Sequence, residues 1–123
     1  LDLMPSEISG GMARRVALAR AIALDPELVM YDEPFTGLDP IARGVIVKLV
    51  SDLNKALGIT TILVSHDVKE ALSFADYIFV IAIGKIIGQG PPEKLREDKN
   101  PEVQQFLRGL PDGVVTFHYP AID

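Results

Sequence analysis

A short apolar run that ends in two carboxylates constrains this chain more than any other feature. The run Leu28-Val29-Met30-Tyr31 contains no charged residue, and Asp32-Glu33-Pro34 follows it directly. Such a run predicts a strand buried on both faces, as in a parallel sheet covered by helices. Ligands of these sheets bind just beyond the carboxyl ends of the strands. The position favours a metal ligand and a general base, although two acidic residues alone would also fit a surface turn.

A helix is predicted to follow this strand. Asp39 is suited to cap it, Pro40 to occupy its first position, and Gly58 to end it in a left-handed conformation. Its apolar stripe is expected at every fourth residue, namely Val45, Leu49, Leu53 and Leu57. The helix would cross over to the next strand.

That next strand is the β-branched segment from Ile59 to Val64, which ends at Ser65-His66-Asp67. Two strands joined by one helix run parallel, so their carboxyl ends lie at the same edge of the sheet. We therefore expect His66 to lie beside Asp32 and Glu33. A histidine at this place could also be a capping or core residue.

A third feature lies upstream. Ser9-Gly10-Gly11 precedes a helical pattern from about Met12 to Leu24. A serine cap, glycine amides and a helix N-terminus together can bind an anion such as phosphate. Ser-Gly-Gly alone would also fit an ordinary helix start.

Downstream, the pattern predicts a third helix capped by Asp67, an apolar strand from Tyr77 to Ala82, and a hairpin through Gly84-Lys85. Two short helices should begin near Pro92 and Pro101. The predicted fold class is α/β, with a parallel sheet core, flanking helices and a C-terminal hairpin.

Composition excludes several classes of function. The 123 residues carry a net charge of −5, which argues against nucleic-acid backbone binding. The absence of cysteine excludes disulfides and zinc–thiolate sites. Because the chain opens on Leu1 with motif-like sequence, we expect it to be a piece of a longer protein.

In combination, the motifs resemble the second half of the nucleotide-binding subunit of ABC transporters, which is a P-loop NTPase fold. They are Ile8-Ser9-Gly10-Gly11-Met12, Asp32-Glu33-Pro34, Gly37-Leu38-Asp39-Pro40 and Ser65-His66-Asp67. The resemblance covers Pro5 to about Leu95. It implies that residues 1–97 form the C-terminal part of the ATPase domain, and that residues 98–123 form a C-terminal helix and an extended tail.

The resemblance implies that Ser9, Gly10 and Gly11 are the ABC signature, which binds the γ-phosphate of ATP held by the opposite subunit. The flanking positions depart from the family, which usually has Leu and Gln where this chain has Ile8 and Met12. Methionine cannot make the hydrogen bonds of the amide, so we expect an altered nucleotide contact without loss of function.

Four more roles are implied by the resemblance. Asp32 orients Mg²⁺, and Glu33 is the general base that activates the attacking water. Asp39 lies in the loop that crosses the dimer interface between the two ATP sites, and His66 is the switch histidine at the γ-phosphate. These are suitable groups for phosphoryl transfer, which depends mainly on positioning and charge stabilisation.

A glycine-rich phosphate loop is absent from the 123 residues, since no Gly-x-x-x-x-Gly-Lys-Ser/Thr occurs and the only Gly-Lys pair is Gly84-Lys85. We therefore expect the chain alone not to hydrolyse ATP, and its parent to do so. In the family, the strand bearing that loop lies between the strands that contain His66 and Tyr77. Without it, we expect exposed apolar surface and self-association.

Three segments further resemble the ATPase of the Mla-type phospholipid transport system of Gram-negative bacteria. These are Ser9 to Arg15, Tyr31 to Ile41 and Phe106 to Gly113, with Phe117 to Pro120 in addition. That resemblance implies a homodimer at the cytoplasmic face of the inner membrane, with a permease, an MCE-domain lipid-binding protein and a STAS-domain subunit. The alternatives are an importer ATPase for another solute, and a non-enzymatic module that completes a partner's ATP site.

Overall fold

The computed structural model describes residues 10–110 together with Gly113. Within them the chain forms five helices and four strands. In chain order these are α1 (Gly10–Ile22), β1 (Leu28–Asp32), α2 (Pro40–Leu57), β2 (Thr60–Val64), α3 (Val68–Phe74), β3 (Ile78–Ala82), β4 (Lys85–Gly90), α4 (Pro92–Arg96) and α5 (Pro101–Arg108). The mixture of a parallel sheet, flanking helices and a later hairpin confirms the predicted α/β class.

The chain divides into two compact units, residues 1–66 and 67–123. The predicted division after residue 97 concerns the domain of the family and stays a prediction. None of the helices within the described residues combines the length and the apolar character needed to cross a membrane.

In the first unit, β1 and β2 pair as parallel strands. The register runs from Leu28 opposite Thr60 to Asp32 opposite Val64. One backbone bond extends the pairing at each end, from Thr60 N to Glu27 O at 3.0 Å and from Glu33 N to Val64 O at 2.8 Å. The predicted strand–helix–strand unit with parallel strands is therefore confirmed, and both strands end at one edge.

The connecting helix α2 begins and ends as its sequence predicts. Oδ1 of Asp39 accepts hydrogen bonds from the amides of Ile41 at 3.0 Å and Ala42 at 2.9 Å. Gly58 ends the helix with φ 63°, in the left-handed region that glycine adopts without steric cost. Asp39 and Gly58 therefore fix the two ends of the helix that connects β1 to β2.

The buried face of α2 is rotated by one residue from the predicted stripe. Ile46 and Val50 are buried, whereas Val45 is 40% exposed and Leu57 48% exposed. The helix is apolar on both neighbouring stripes, so periodicity alone could not select between them. The buried apolar residues of the unit are Leu18, Val29, Phe35, Ile46, Val50 and Ile59.

The prediction that β1 is buried on both faces is wrong for the described structure. Val29 is buried, but Leu28 is 49% and Met30 68% exposed. Burial therefore alternates along the strand, because residues 10–110 cover only one face of the two-stranded sheet. Ile62 and Val64 of β2 are exposed in the same alternation.

In the second unit, β3 and β4 form an antiparallel hairpin, as predicted. Its turn lies one residue before the predicted Gly84-Lys85, since Lys85 already belongs to β4. The two turn residues, Ile83 and Gly84, have φ of 51° and 68°, which suits a tight hairpin turn. A β-bulge lies between Val80 and Ile81, where Val80 pairs with Gly88 and Ile81 with Ile86. The strand after the turn extends to Gly90, two residues beyond the predicted end.

Leu95 of α4 and Val103 of α5 are the largest fully buried side chains among the described residues of this second unit. Gly88 of β4 lies so close to α5 that an added Cβ would come within 2.5 Å of Cγ2 of Val103. Asn100 caps α5 by accepting a hydrogen bond from the amide of Glu102 at 3.0 Å, and Asp67 caps α3 in the same way. The short helices therefore begin where the sequence predicts.

Candidate functional site

The candidate site lies where β1 and β2 end. Asp32 is the last residue of β1 and is opposite Val64, the last residue of β2. Glu33 then leaves the strand with φ 47°, an uncommon conformation for a residue other than glycine. Unusual backbone conformations of this kind concentrate at functional sites, where the surrounding structure holds them. At this edge, the chain turns sharply and presents three acidic or imidazole groups within a few residues of the strand ends.

Two side chains hold the carboxylate of Glu33, one at each oxygen. Nδ1 of His66 lies 2.9 Å from Oε1, and Oγ1 of Thr36 donates to Oε2 at 3.2 Å. Because a carboxylate only accepts, the Nδ1 atom of His66 carries the proton in this contact. The His66 side chain is 78% exposed and that of Glu33 33%, so the pair is open to an incoming ligand.

The hydrogen bond from His66 lowers the pKa of Glu33 below its ordinary value. Partial burial acts in the opposite direction, and the hydrogen bond from Thr36 adds to the lowering. The carboxyl group is therefore ionised at neutral pH and can accept a proton from water. A lowered pKa also makes it a weaker base than a carboxylate without these donors, so a change in its partners would change its basicity.

Asp32 presents an exposed carboxylate at the end of β1, directly before Glu33 in the chain. Among residues 10–110 and Gly113, no group of three or more His, Cys, Asp or Glu side chains is placed to hold a metal ion. Mg²⁺ in nucleotide sites commonly uses one or two carboxylates, with waters and phosphate oxygens as the other ligands. A single carboxylate at the strand end fits that donor set, and it would not fit a metal held by protein side chains alone.

Two further residues reach the site that sequence reasoning did not select. Thr36 contacts Glu33 directly, and Nη2 of Arg14 donates to the carbonyl oxygen of Thr36 at 2.9 Å. The Thr36 contact follows from the turn after β1, since Thr36 N also donates to Glu33 O at 3.4 Å. The spacing of three residues could have indicated it. The Arg14 contact joins residues 22 positions apart and has no local signal.

The remaining predicted site residues are distributed as follows. Gly10 and Gly11 form the first turn of α1, and the contact between α1 and the Glu33 loop is made further along, by Arg14. Ser9, predicted as the helix cap and a phosphate ligand, lies outside the described residues. Asp39 uses its carboxylate to cap α2, so it has a structural role whether or not it contacts a nucleotide.

Comparison with known proteins shows the class of protein to which this chain is related. Residues 1–36 match the family described as ABC transporter. The chain is a relative of the ATP-binding subunits of ABC transporters, and the resemblance stated from its motifs is confirmed.

Among these subunits, several relatives that are similar along almost the whole chain are named intermembrane phospholipid transport system ATP-binding protein MlaF, and two of them serve as examples. The Escherichia coli K12 protein is 60% identical over 98% of this chain and 45% of its own length. The Haemophilus influenzae protein is 61% identical over 98% of this chain and 46% of its own. The chain therefore spans less than half the length of these relatives.

A transporter subunit for a different solute is more distant. The Fe(3+) ions import ATP-binding protein FbpC of Pseudomonas fluorescens is 47% identical over 90% of this chain and 31% of its own length. The similarity is thus graded, with the subunits named for phospholipid transport above the subunit named for iron import.

Proposed function

We propose that the protein of which this chain is part binds and hydrolyses ATP as the ATP-binding subunit of an ABC transporter. The observation that carries the proposal is the contact between Glu33 and His66, at the carboxyl ends of two parallel strands and next to Asp32. An ionised carboxylate, an imidazole and a metal-binding carboxylate at one sheet edge suit phosphoryl transfer to water.

In this proposal Glu33 accepts the proton of the attacking water, and His66, as an imidazolium protonated on both ring nitrogens, donates from Nδ1 to Glu33 and from Nε2 to the γ-phosphate. The 2.9 Å contact between Nδ1 and Oε1 holds the two groups next to each other. Asp32 would hold Mg²⁺ through water. When bound, Mg²⁺ neutralises charge on the phosphate oxygens.

The proposed phosphate-binding role of Ser9, Gly10 and Gly11 rests on the N-terminus of α1, which begins at Gly10. The positive end of the α1 dipole favours an anion there. In the proposed dimer this helix end serves the ATP of the second subunit, and Asp39 lies in the loop at that interface. Since the 123 residues contain no phosphate loop, hydrolysis is proposed for the full-length protein and not for the chain alone.

Phospholipid is the proposed transported substrate. It is supported by 60–61% identity to the two subunits named for phospholipid transport, against 47% to the iron importer subunit. The proposed partners are a second copy, a transmembrane permease, an MCE-domain lipid-binding protein and a STAS-domain subunit. The proposed location is the cytoplasmic face of the inner membrane.

Replacing the proposed base in the full-length protein tests the enzymatic part. Glu33→Gln keeps the side chain's size and the neighbouring Asp32 but removes the base, so ATP turnover should fall by about 10²- to 10⁴-fold. ATP affinity should change little. The matched control is Glu27→Gln, an exposed glutamate just before β1, which should keep the full rate. Full turnover in Glu33→Gln would remove Glu33 from the base role.

The transported substrate is tested separately, with the permease that co-purifies with the full-length protein. Reconstituted in vesicles, that complex should move a labelled phospholipid between membranes only when ATP is present and Glu33 is intact. ATP-dependent uptake of ferric ion or sulfate instead of phospholipid would select the importer alternative. ATP binding without turnover, even with the permease, would select the non-enzymatic module.

A further inference from the structure

We propose that Arg14 is a positioning residue for the Glu33 carboxylate and acts through Thr36. The inference rests on the proposed function, in which Glu33 is the base, and adds two residues that hold it in place. It is drawn from a chain of two hydrogen bonds, Arg14 to Thr36 and Thr36 to Glu33. Neither residue lies in a motif that the sequence assigned to nucleotide binding.

The link from Thr36 to Glu33 fixes the second carboxylate oxygen. Oγ1 of Thr36 donates to Oε2 at 3.2 Å while His66 occupies Oε1 at 2.9 Å. With a donor on each oxygen, the carboxylate cannot rotate about its terminal bond without losing one of them. Because threonine is branched at Cβ, its side chain has few rotamers, so the place of the hydroxyl depends on the place of the Thr36 backbone.

The link from Arg14 fixes that backbone. Nη2 donates to the Thr36 carbonyl at 2.9 Å, and the donor carries a positive charge, which strengthens the bond. The backbone bonds within the same loop are longer, at 3.4 Å from Thr36 N to Glu33 O and 3.4 Å from Leu38 N to Phe35 O. The arginine contact is therefore the shortest bond described for the Thr36 main chain.

The hydrogen bonds from Arg14 and Thr36 are important because the backbone of Glu33 has an unusual conformation. At φ 47° the residue occupies a conformation that costs a side-chain-bearing residue free energy, and the conformation persists only where neighbouring contacts hold it. Arg14 lies one turn into α1, whose first residues are Gly10 and Gly11. A shift of this helix would move the guanidinium and loosen the loop. Arg14 thereby couples the phosphate-binding end of α1 to the orientation of the base.

The test uses the full-length protein and separates turnover from ATP binding. Arg14→Gln and Thr36→Val should each lower kcat about tenfold, the effect of about one lost hydrogen bond, with KM for ATP within about twofold. Thr36→Ser restores the hydroxyl and should restore most of kcat. The control Lys55→Gln removes one positive charge from an exposed site on α2 and should leave kcat unchanged.

A double mutant shows whether Arg14 acts through Thr36. If it does, Arg14→Gln combined with Thr36→Val should lower kcat no further than Thr36→Val alone. If the kcat losses of the two single variants multiply in the double mutant, Arg14 acts by a route other than Thr36. A normal kcat in Arg14→Gln would overturn the proposal. In both of these cases Glu33→Gln would still abolish turnover, so failure of this inference is distinguishable from failure of the proposed function.

A readout without ATP completes the test. In the wild-type protein, three-bond NMR couplings should report one side-chain rotamer for Thr36, and in Arg14→Gln they should report rotamer averaging. Lys55→Gln should keep the single rotamer. An unchanged Thr36 rotamer in Arg14→Gln contradicts the proposal even if the protein has no ATPase activity.

Discussion

Glu33 and His66 are 33 positions apart in the sequence, yet Oε1 and Nδ1 lie 2.9 Å from each other. The contact exists because β1 and β2 run parallel in a fixed register of five residue pairs, and each residue follows its strand end by one or two positions. The pair is thus a consequence of strand pairing and of the turn at Glu33. The same contact sets the acidity of the carboxyl group.

His66→Ala should raise the pKa of Glu33 in metal-free protein, because it removes the largest contribution to the lowering. Thr36→Val should raise it less. A titration followed by carbon-13 NMR of the Glu33 carboxyl group measures both. An unchanged Glu33 titration in His66→Ala would show that the two side chains do not interact in solution.

The lowered pKa of Glu33 also predicts how the stability of the folded protein depends on pH. The folded-state pKa of Glu33 is depressed, so its stabilisation is complete above the ordinary glutamate pKa and disappears as the pH falls through the folded-state value. In His66→Ala, that part of the acid dependence should shrink. Urea unfolding at neutral and acidic pH measures it. An acid dependence larger than in the wild type would contradict this account.

Asp39→Ala should destabilise the chain by about 1 kcal/mol, because the start of α2 loses two hydrogen bonds to its first amides. Asp39→Ser keeps a capping oxygen and should lose only a few tenths of that amount. Urea unfolding followed by circular dichroism distinguishes them. Equal stability of Asp39→Ala and the wild type would show that the cap contributes nothing. In the full-length protein, Asp39→Ser also separates the cap from the carboxylate's proposed role at the dimer interface.

Gly88→Ala should destabilise the second unit by about 1–3 kcal/mol, because its methyl group would meet buried Val103 at 2.5 Å. Combining it with Val103→Ala should recover part of the loss, since the clash is removed. Gly44→Ala is the control, because that position on α2 has open space around it and alanine favours helix. A Gly88→Ala variant as stable as the wild type would mean that β4 and α5 are packed less closely.

The exposed face of the first sheet should cause the chain alone to self-associate. It consists of Leu28, Met30, Ile62 and Val64, all of which are 47–68% exposed. Met30→Lys with Ile62→Lys should reduce the association measured by light scattering at micromolar concentration. The same change at Ile41, an exposed residue of α2, should not. A monomeric wild-type chain across that range would disprove the expectation.

Much of the fold was predictable because its signals are local. Asp39 and Gly58 mark the ends of α2 by the conformations that these residues favour, and Gly84 indicates the hairpin turn for the same reason. The turn residues are Ile83 and Gly84 and not the predicted Gly84-Lys85, because isoleucine disfavours the positive φ that Ile83 adopts and so gives no signal for a turn. The buried side of α2 was not predictable, because Ile46 and Val50 are as apolar as their neighbours in the predicted stripe. Burial depends on what packs against a helix, and periodicity does not show that.

The candidate site, like the fold, has some features that the sequence predicts and others that it does not. The proximity of His66 and Glu33 follows from parallel pairing, so the sequence predicts it once both strands are recognised. The positive φ of Glu33 and the bond from Arg14 to Thr36 are tertiary features without a composition or spacing signal. These features can be found only when the position of α1 relative to the loop after β1 is known.

The register of β1 and β2 also limits how sequences of this kind can vary over evolution. Side chains alternate between the two faces of a strand, so one inserted or deleted residue within β2 would send His66 to the opposite side. Substitutions on the exposed face of α2 leave that geometry intact. Genes that encode this arrangement should therefore accumulate point changes on the exposed face of the helix freely, while length changes within β1 or β2 should be removed by selection.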